Sequence, residues 1–249
     1  MLKVSIITAS FNCASTIKQT IESVLAQDYP NIEFWIIDGG STDGTVEILK
    51  TYRGRIHYIS EPDKGIYDAI NKGLTRSTGD VIGMIGADDF YPSNDVISSV
   101  AATFKKTGAL ALYGDKQYVD AKNPHKIVRN WVAGSYQNSN WLFGWMPPHL
   151  SFYASRALLE QTGPYRTDFI CSGDYEWMLR ALFQKDVKVT YLPKVLVHMR
   201  TGGTSNASFK HRLKANKEDR KAWKVNGFKP YFFTLYLKPL RKIVQLFNK

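Results

Sequence analysis

Cysteine is scarce in this chain of 249 residues, which holds only Cys13 and Cys171. Two thiols cannot build a disulfide framework, so the fold must rest on a hydrophobic core, and a reducing compartment suits it. No apolar run approaches the roughly 18 residues that a membrane-spanning helix needs. The opening KVSIITASF reads as a strand rather than a signal peptide. The glycine fingerprint of a dinucleotide site is missing after that strand, and so is the Gly-Lys-Ser/Thr of a P-loop. There are no internal repeats and no low-complexity linker. Acidic residues run short in one place above all. From Lys210 onward, twelve Lys and Arg face only Glu218 and Asp219, which is +10 of the total +11. The remaining 21 basic and 20 acidic residues nearly cancel. The charge therefore describes where the protein sits rather than what its core binds.

What is present is organised around Gly79-Asp80-Val81-Ile82-Gly83-Met84-Ile85-Gly86-Ala87-Asp88-Asp89-Phe90. This reads as a short buried parallel strand running into two adjacent carboxylates. Pro92-Ser93-Asn94 stops it, with Ser93 as cap of a helix from Asn94 to Lys106. Asp88 and Asp89 then stand at the carboxyl end of a central strand, where open α/β sheets bind ligands. Neighbouring carboxylates repel, so the pair calls for a cation, and Mg²⁺ or Mn²⁺ bridging to a phosphate fits. A solvated pair in a turn is the plainer alternative.

Around this stretch strand and helix alternate. Strands are expected at Lys3–Ala9, Ile32–Asp38 and Ile56–Ser60, with helices at Ala14–Gln27, Asp43–Tyr52 and Ile66–Arg76. That rhythm predicts an α/β, doubly wound, mostly parallel sheet. After a strand at Ala109–Tyr113 it breaks, and residues 116–150 read as irregular strands and loops. Helices at Ser155–Gln161 and Asp174–Gln184 and strands at Val187–Leu192 and Val195–Met199 follow. At the strand ends, Thr8, Ala9, Ser10 and Asn12 suit a base or ribose edge, and Asp38 can accept from a ribose hydroxyl or a base N–H. Gly39 to Thr45, with Gly40 and Ser41, would point amides at the same crevice, and Lys64 is a loop cation for a diphosphate.

Joined together, Ser5-Ile6-Ile7-Thr8-Ala9-Ser10-Phe11-Asn12, Ile37-Asp38-Gly39-Gly40-Ser41-Thr42-Asp43-Gly44-Thr45 and Asp88-Asp89 resemble the family 2 glycosyltransferases of the GT-A fold. Glu61-Pro62-Asp63-Lys64-Gly65-Ile66-Tyr67-Asp68-Ala69-Ile70-Asn71-Lys72-Gly73 narrows the resemblance to bacterial members that assemble O-antigen, capsule or exopolysaccharide. It covers residues 1–205, a nucleotide-binding half over 1–115 and an acceptor half over 116–205. The resemblance implies an inverting, metal-dependent transferase that uses a nucleotide-sugar donor. Asp38 would contact base or ribose, Lys64 the diphosphate, and Asp88 the metal. Gly86 stands where the family's Asp-x-Asp motif has its first Asp, with Asp89 as the available substitute. Ser172-Gly173-Asp174-Tyr175-Glu176-Trp177-Met178-Leu179-Arg180 is similar to the family's stretch that opens a helix with the catalytic base. That makes Asp174 the base, rather than a plain helix cap, and Glu176 the second choice or an acceptor contact. His198 resembles a late family histidine that reaches metal or diphosphate. His149 and Trp145, near Trp141, would floor an acceptor-sugar site, although aromatic clusters are as readily core.

Residues 206–249 form a basic amphipathic tail, with a helix from Phe209 to Trp223. Beyond Pro230, Phe232, Tyr236, Leu240, Ile243, Val244 and Phe247 fall near one face and Lys238, Arg241, Lys242 and Lys249 toward the other. That pattern fits a helix lying on an anionic membrane surface. The whole therefore reads as a cytoplasmic enzyme, peripheral at the inner face of the membrane. It would move sugar from a UDP-sugar to a lipid-linked saccharide. No nucleic-acid-binding module accompanies the charge. The rival readings are a sugar nucleotidyltransferase, which should carry an Arg-containing glycine-rich loop in place of Ser10-Phe11-Asn12-Cys13, and a non-catalytic membrane-surface binder.

Overall fold

Successive isoleucines of the first strand, β1 (Val4–Ser10), point to opposite sides of the sheet, and each side finds its own core. Ile6 packs with Ile17 and Ile21 of helix α1 (Ile17–Leu25), while Ile7 packs on the other face against Ile70 of α3 (Ile66–Arg76). The same division recurs at Ile36 and Ile37 of β2 (Ile32–Asp38). Strands buried on both faces explain why these segments are continuously apolar. The computed structural model describes residues 1–183, 187–202 and 209–238.

Helix α2 (Thr45–Thr51), strand β3 (His57–Ser60), strand β4 (Val81–Met84) and helix α4 (Val96–Thr107) complete the first half. There β3, β2, β1 and β4 lie side by side, all parallel. Gly73 lets α3 approach closely, since a Cβ there would lie 2.6 Å from Ile7 Cγ2. The second half adds β5 (Ala111–Val119), β6 (Ile127–Trp131), β7 (Phe152–Ser155), helices α5 (Arg156–Thr162) and α6 (Gly173–Leu182), and β8 (Val189–Arg200). Here β7 runs antiparallel to both β4 and β5, β6 antiparallel to β5, and β8 parallel to β5. The result is one eight-stranded sheet, mostly parallel and covered by helices on both faces, as the alternating pattern predicts.

Several boundaries differ from expectation. The expected helix cap Ser93 instead bonds Asp95, and α4 starts after Asp95. The strand expected to end at Tyr113 runs on to Val119 and, with β6, turns part of the irregular stretch into a hairpin. The two late strands are one. The register of β8 on β5 slips between Leu192 and Val195, across Pro193, which has no N–H to give the ladder. The expected end of α6 at Gln184 lies outside the described residues.

Helix α7 (Phe209–Val225) packs against α6. Glu218 accepts the backbone N–H groups of Ile170, Cys171 and Ser172, which fixes the turn into α6. The buried Trp223 indole donates to Tyr175 at 2.8 Å. Beyond it Thr234 bonds the Leu142 carbonyl and Lys238 pairs with Asp219. Phe232 and Tyr236 are exposed, whereas Lys238, expected on the outward basic face, is turned inward to Asp219 and the Tyr175 ring; Leu240, Arg241, Lys242, Ile243, Val244, Phe247 and Lys249 lie outside the described residues. Among the described residues no helix is long and apolar enough to cross a membrane.

Candidate active site

The register β1–β2–β3 sets Ser10, Asp38 and Ser60 side by side at the carboxyl ends of their strands. Asp38 is 0% exposed and accepts five hydrogen bonds, from the hydroxyls of Ser10, Ser41 and Ser60 and the N–H groups of Gly40 and Ser41. Burial would raise its pKa, but these donors outweigh it and hold the carboxyl below the usual range. A carboxylate offers about four lone-pair positions, so Asp38 is fully occupied in shaping the Gly39–Ser41 turn. Its side chain lies beneath the crevice rather than on its surface.

Asn12 completes that turn from the other side. Its Oδ1 accepts from Thr42 N–H at 2.9 Å, its own N–H bonds Ser41 Oγ, and its φ of 49° is one asparagine tolerates. Thr8 is buried on the Ile85 carbonyl and Ala9 is half-buried. Lys64 is exposed, and its backbone N–H bonds Asp68. Two residues that sequence reasoning passed over join this half. Phe11 is 64% exposed beside Gly39, and Asp63 Oδ2 lies 2.5 Å from where a Gly39 Cβ would stand. An aromatic at the end of the first strand was the available signal for Phe11.

The carboxylate pair takes a different form. Asp89 is 1% exposed; its Oδ1 accepts from Arg200 N–H at 3.1 Å, and its Oδ2 is buried with no partner. Burial, and after it the charge of Asp88, push its pKa up to about 7. Asp88 Oδ1 and Asp89 Oδ2 converge where a side chain on Gly86 would begin, 3.1 and 2.6 Å from that Cβ position. The Gly86 space and the orphaned oxygen fit a divalent cation held by two carboxylates, with remaining ligands from a substrate diphosphate. The Arg200 guanidinium braces this turn by bonding the Asp88 carbonyl and Gln19. His198 does not join it as a third ligand. Its ring bonds Gln117 at 2.8 Å and stands edge-on to Phe90, and among the described residues no three His, Cys, Asp or Glu form a metal set.

Asp174 lies in the first turn of α6, half-buried, where the helix dipole favours its charge. Tyr67 O–H reaches its Oδ1 at 3.4 Å, and Gly173 lets the Tyr67 ring pass, since a Cβ there would lie 2.6 Å from it. Tyr67 stacks on Tyr165, whose hydroxyl is 3.3 Å from His149 Nε2. Burial lowers the His149 pKa, against the pull of Asp174. His149 and Asp174 thus share one wall.

The other two expected acceptor residues are turned away, and both corrections have a physical cause. Trp145 is buried among Tyr113, Tyr136 and Trp141 with its N–H spent on the Ala133 carbonyl, so it is core. Glu176 is fully buried in a two-pronged pair with Arg180 at 2.8 and 3.1 Å. It holds α6 to Thr162 and Pro164 through that arginine and is not offered to a substrate.

Comparison with known proteins agrees with this fold. The chain is 32% identical over 187 residues to an uncharacterized glycosyltransferase of Mycobacterium tuberculosis, covering 72% of this chain and 68% of that one. It is 30% identical over 217 residues to UDP-Glc:alpha-D-GlcNAc-diphosphoundecaprenol beta-1,3-glucosyltransferase WfaP of Escherichia coli, covering 85% and 83%. Among solved structures, S. aureus TarS in complex with UDP-GlcNAc superposes with a TM-score of 0.70 at 16% identity over 90% of this chain, which spans 65% of that one. Mannosyltransferase PcManGT from Pyrobaculum calidifontis, in complex with GDP-Man and Mn²⁺, gives 0.69 at 18% identity, covering 95% and 69%. These two likenesses are of fold. A profile of Glycosyl transferase family 2 matches residues 5–186, and the chain belongs to that family.

Proposed function

We propose that this enzyme transfers a sugar, with inversion, from a UDP-sugar to a hydroxyl of a saccharide carried on a lipid diphosphate in bacterial surface polysaccharide synthesis. The observation that carries the reading is the pair Asp88 and Asp89, converging over Gly86 with one buried oxygen unsatisfied. A divalent cation held there would neutralise charge on the departing diphosphate. Phe11 and the Gly39–Ser41 turn would receive the base and ribose, and Lys64 would close on the diphosphate from the rim. Asp174 would take the proton from the acceptor hydroxyl as it attacks the anomeric carbon from the face opposite the leaving nucleotide. The Tyr67 hydroxyl orients that carboxylate. UDP as the donor nucleotide, and the lipid diphosphate of the acceptor, are supported by WfaP, whose name specifies both.

A peripheral place on the inner membrane face goes with a lipid-borne acceptor. Lys214, Lys217, Arg220 and Lys224 recur at helical spacing on the exposed side of α7. Arg220 Cζ lies 5.9 Å from the ring of exposed Tyr236, while Phe143 stands edge-on to Tyr231, and Phe143, Tyr231 and Phe232 are all exposed. Basic charge beside aromatic rings is the composition of an interfacial contact. Thermal denaturation with UDP, GDP and dTDP, each with and without Mn²⁺, tests the donor reading. UDP with Mn²⁺ should raise the midpoint most; equal midpoints across the panel would remove it.

A further inference from the structure

The hairpin β5–β6 carries a buried charge set apart from the carboxylate pair. Register sets Lys116 opposite Trp131 and Tyr118 opposite Arg129, so two cations and two rings alternate at the corners of a square. Lys116 Nζ is 4.4 Å from the Trp131 ring centre and 4.8 Å from that of Tyr118, and Arg129 Cζ is 3.8 Å from Tyr118. Lys116 is only 7% exposed. Its hydrogen-bond partner is the soft sulfur of Met199 at 3.6 Å. Among the described residues no carboxylate lies within ion-pair distance of Lys116 or Arg129. Asp115, next in the chain, is spent on the Tyr191 hydroxyl and the Ala133 N–H.

A buried ammonium without a counter-ion is costly, and aromatic faces offset only part of that cost. The groove it lines explains the arrangement. A cavity of about 260 Å³, lined by Lys116, Gln117, Asn130, Trp131, Val132 and also Asp115, opens beside it. Register sets Gln117, the neighbour of Lys116, beside His198, whose backbone pairs with Phe90 next to Asp89, and the Lys116 charge acts on both Asp89 and His149.

We propose that this cation–aromatic square is a diphosphate-binding site, with Lys116 as its buried anchor and Arg129 as its outer arm. The inference rests on the transferase reading above, because both the nucleotide-sugar and the lipid-linked saccharide carry a diphosphate. A bound diphosphate gives the buried ammonium its missing anion and fastens a substrate next to Asp89.

The test uses the full chain and two probes, UDP with Mn²⁺ and farnesyl diphosphate, each titrated calorimetrically into wild type, Lys116→Met and Arg129→Gln. Lys116→Met should keep or raise the thermal midpoint, since it removes an unpaired buried charge, and should weaken one probe about tenfold or more. Loss of UDP assigns the site to the donor, and loss of farnesyl diphosphate to the acceptor. Arg129→Gln should weaken the same probe by less, and it carries the test alone if Lys116→Met does not fold. Unchanged affinity for both probes in the folded variants overturns the inference while leaving the transferase reading intact. Wild type that binds neither probe removes both.

Discussion

Asp38, at the end of β2, and Asp89, in the turn that follows β4, are buried carboxylates of one sheet edge, and they behave oppositely. Asp38 is met by five donors and held below the usual carboxyl range, whereas Asp89 keeps an unpartnered oxygen and is pushed up to about 7. Burial is common to both, so burial alone does not mark a functional group. What distinguishes them is whether the fold supplies the donors. A carboxylate that the protein satisfies serves the scaffold, and one left open beside a second carboxylate is the candidate for a cation. The same contrast separates Glu176, paired with Arg180, from Asp174, which among the described residues meets only a long bond from Tyr67.

The largest effect expected from this contrast is at Asp174. Asp174→Asn should lower turnover roughly 10²-fold or more, the contribution of a general base, with UDP affinity unchanged. Near-normal turnover in the folded variant would mean that another group takes the proton. Glu176→Ala should do the reverse. Removing one partner of a buried pair costs about 3 kcal/mol, visible in denaturant unfolding, with little change in the turnover of folded molecules. Lost turnover at wild-type stability would return Glu176 to the chemistry.

Asp38→Asn should cost about 2 kcal/mol, the scale of hydrogen bonds to a charged acceptor. The Asp38 pKa is depressed by folding, so its contribution is present above the ordinary aspartate pKa of about 4 and is lost as pH falls through the lower folded value. The variant should therefore show a shallower acid limb in stability against pH, and parallel limbs would contradict the scaffold role. Asp89→Asn tests the opposite member. It should leave metal-free stability unchanged or higher while weakening UDP with Mn²⁺ about tenfold, the scale of one charged contact. A marked loss of stability would class Asp89 with Asp38. The smallest effect belongs to the surface, where Phe232→Ser with Tyr236→Ser should reduce co-sedimentation with phosphatidylglycerol vesicles several-fold. Each aromatic buried in the interface is worth about 1.5–3 kcal/mol at most. Equal sedimentation of variant and wild type would leave the patch without a membrane role.

Much of the first half was legible because its signals are local. Runs such as IEFWIID can only be buried strands, and small polar residues at their ends follow one another in the chain. Residues 116–150 carry no clean period, since β5 pairs with β6, β7 and β8 from distant parts of the chain. Trp145 and Glu176 looked like site residues because composition cannot say which way a side chain points. Lys116 was invisible for the converse reason: a lysine in a mixed segment reads as solvated until its surroundings are known.

By itself, then, the sequence determined the strand–helix order, the parallel half of the sheet, the turn after Asp38, the adjacency of Asp88 and Asp89, and a basic C-terminal end. All of these depend on neighbours in the chain and on periodicity. Only tertiary structure decided which charged groups are satisfied. Ser60 comes to Asp38 across 22 residues, Arg200 N–H to Asp89 across 111, and Tyr67 to Asp174 across 107. Partners for a buried charge come from wherever the chain folds back, so the difference between scaffold and site is set by long-range packing.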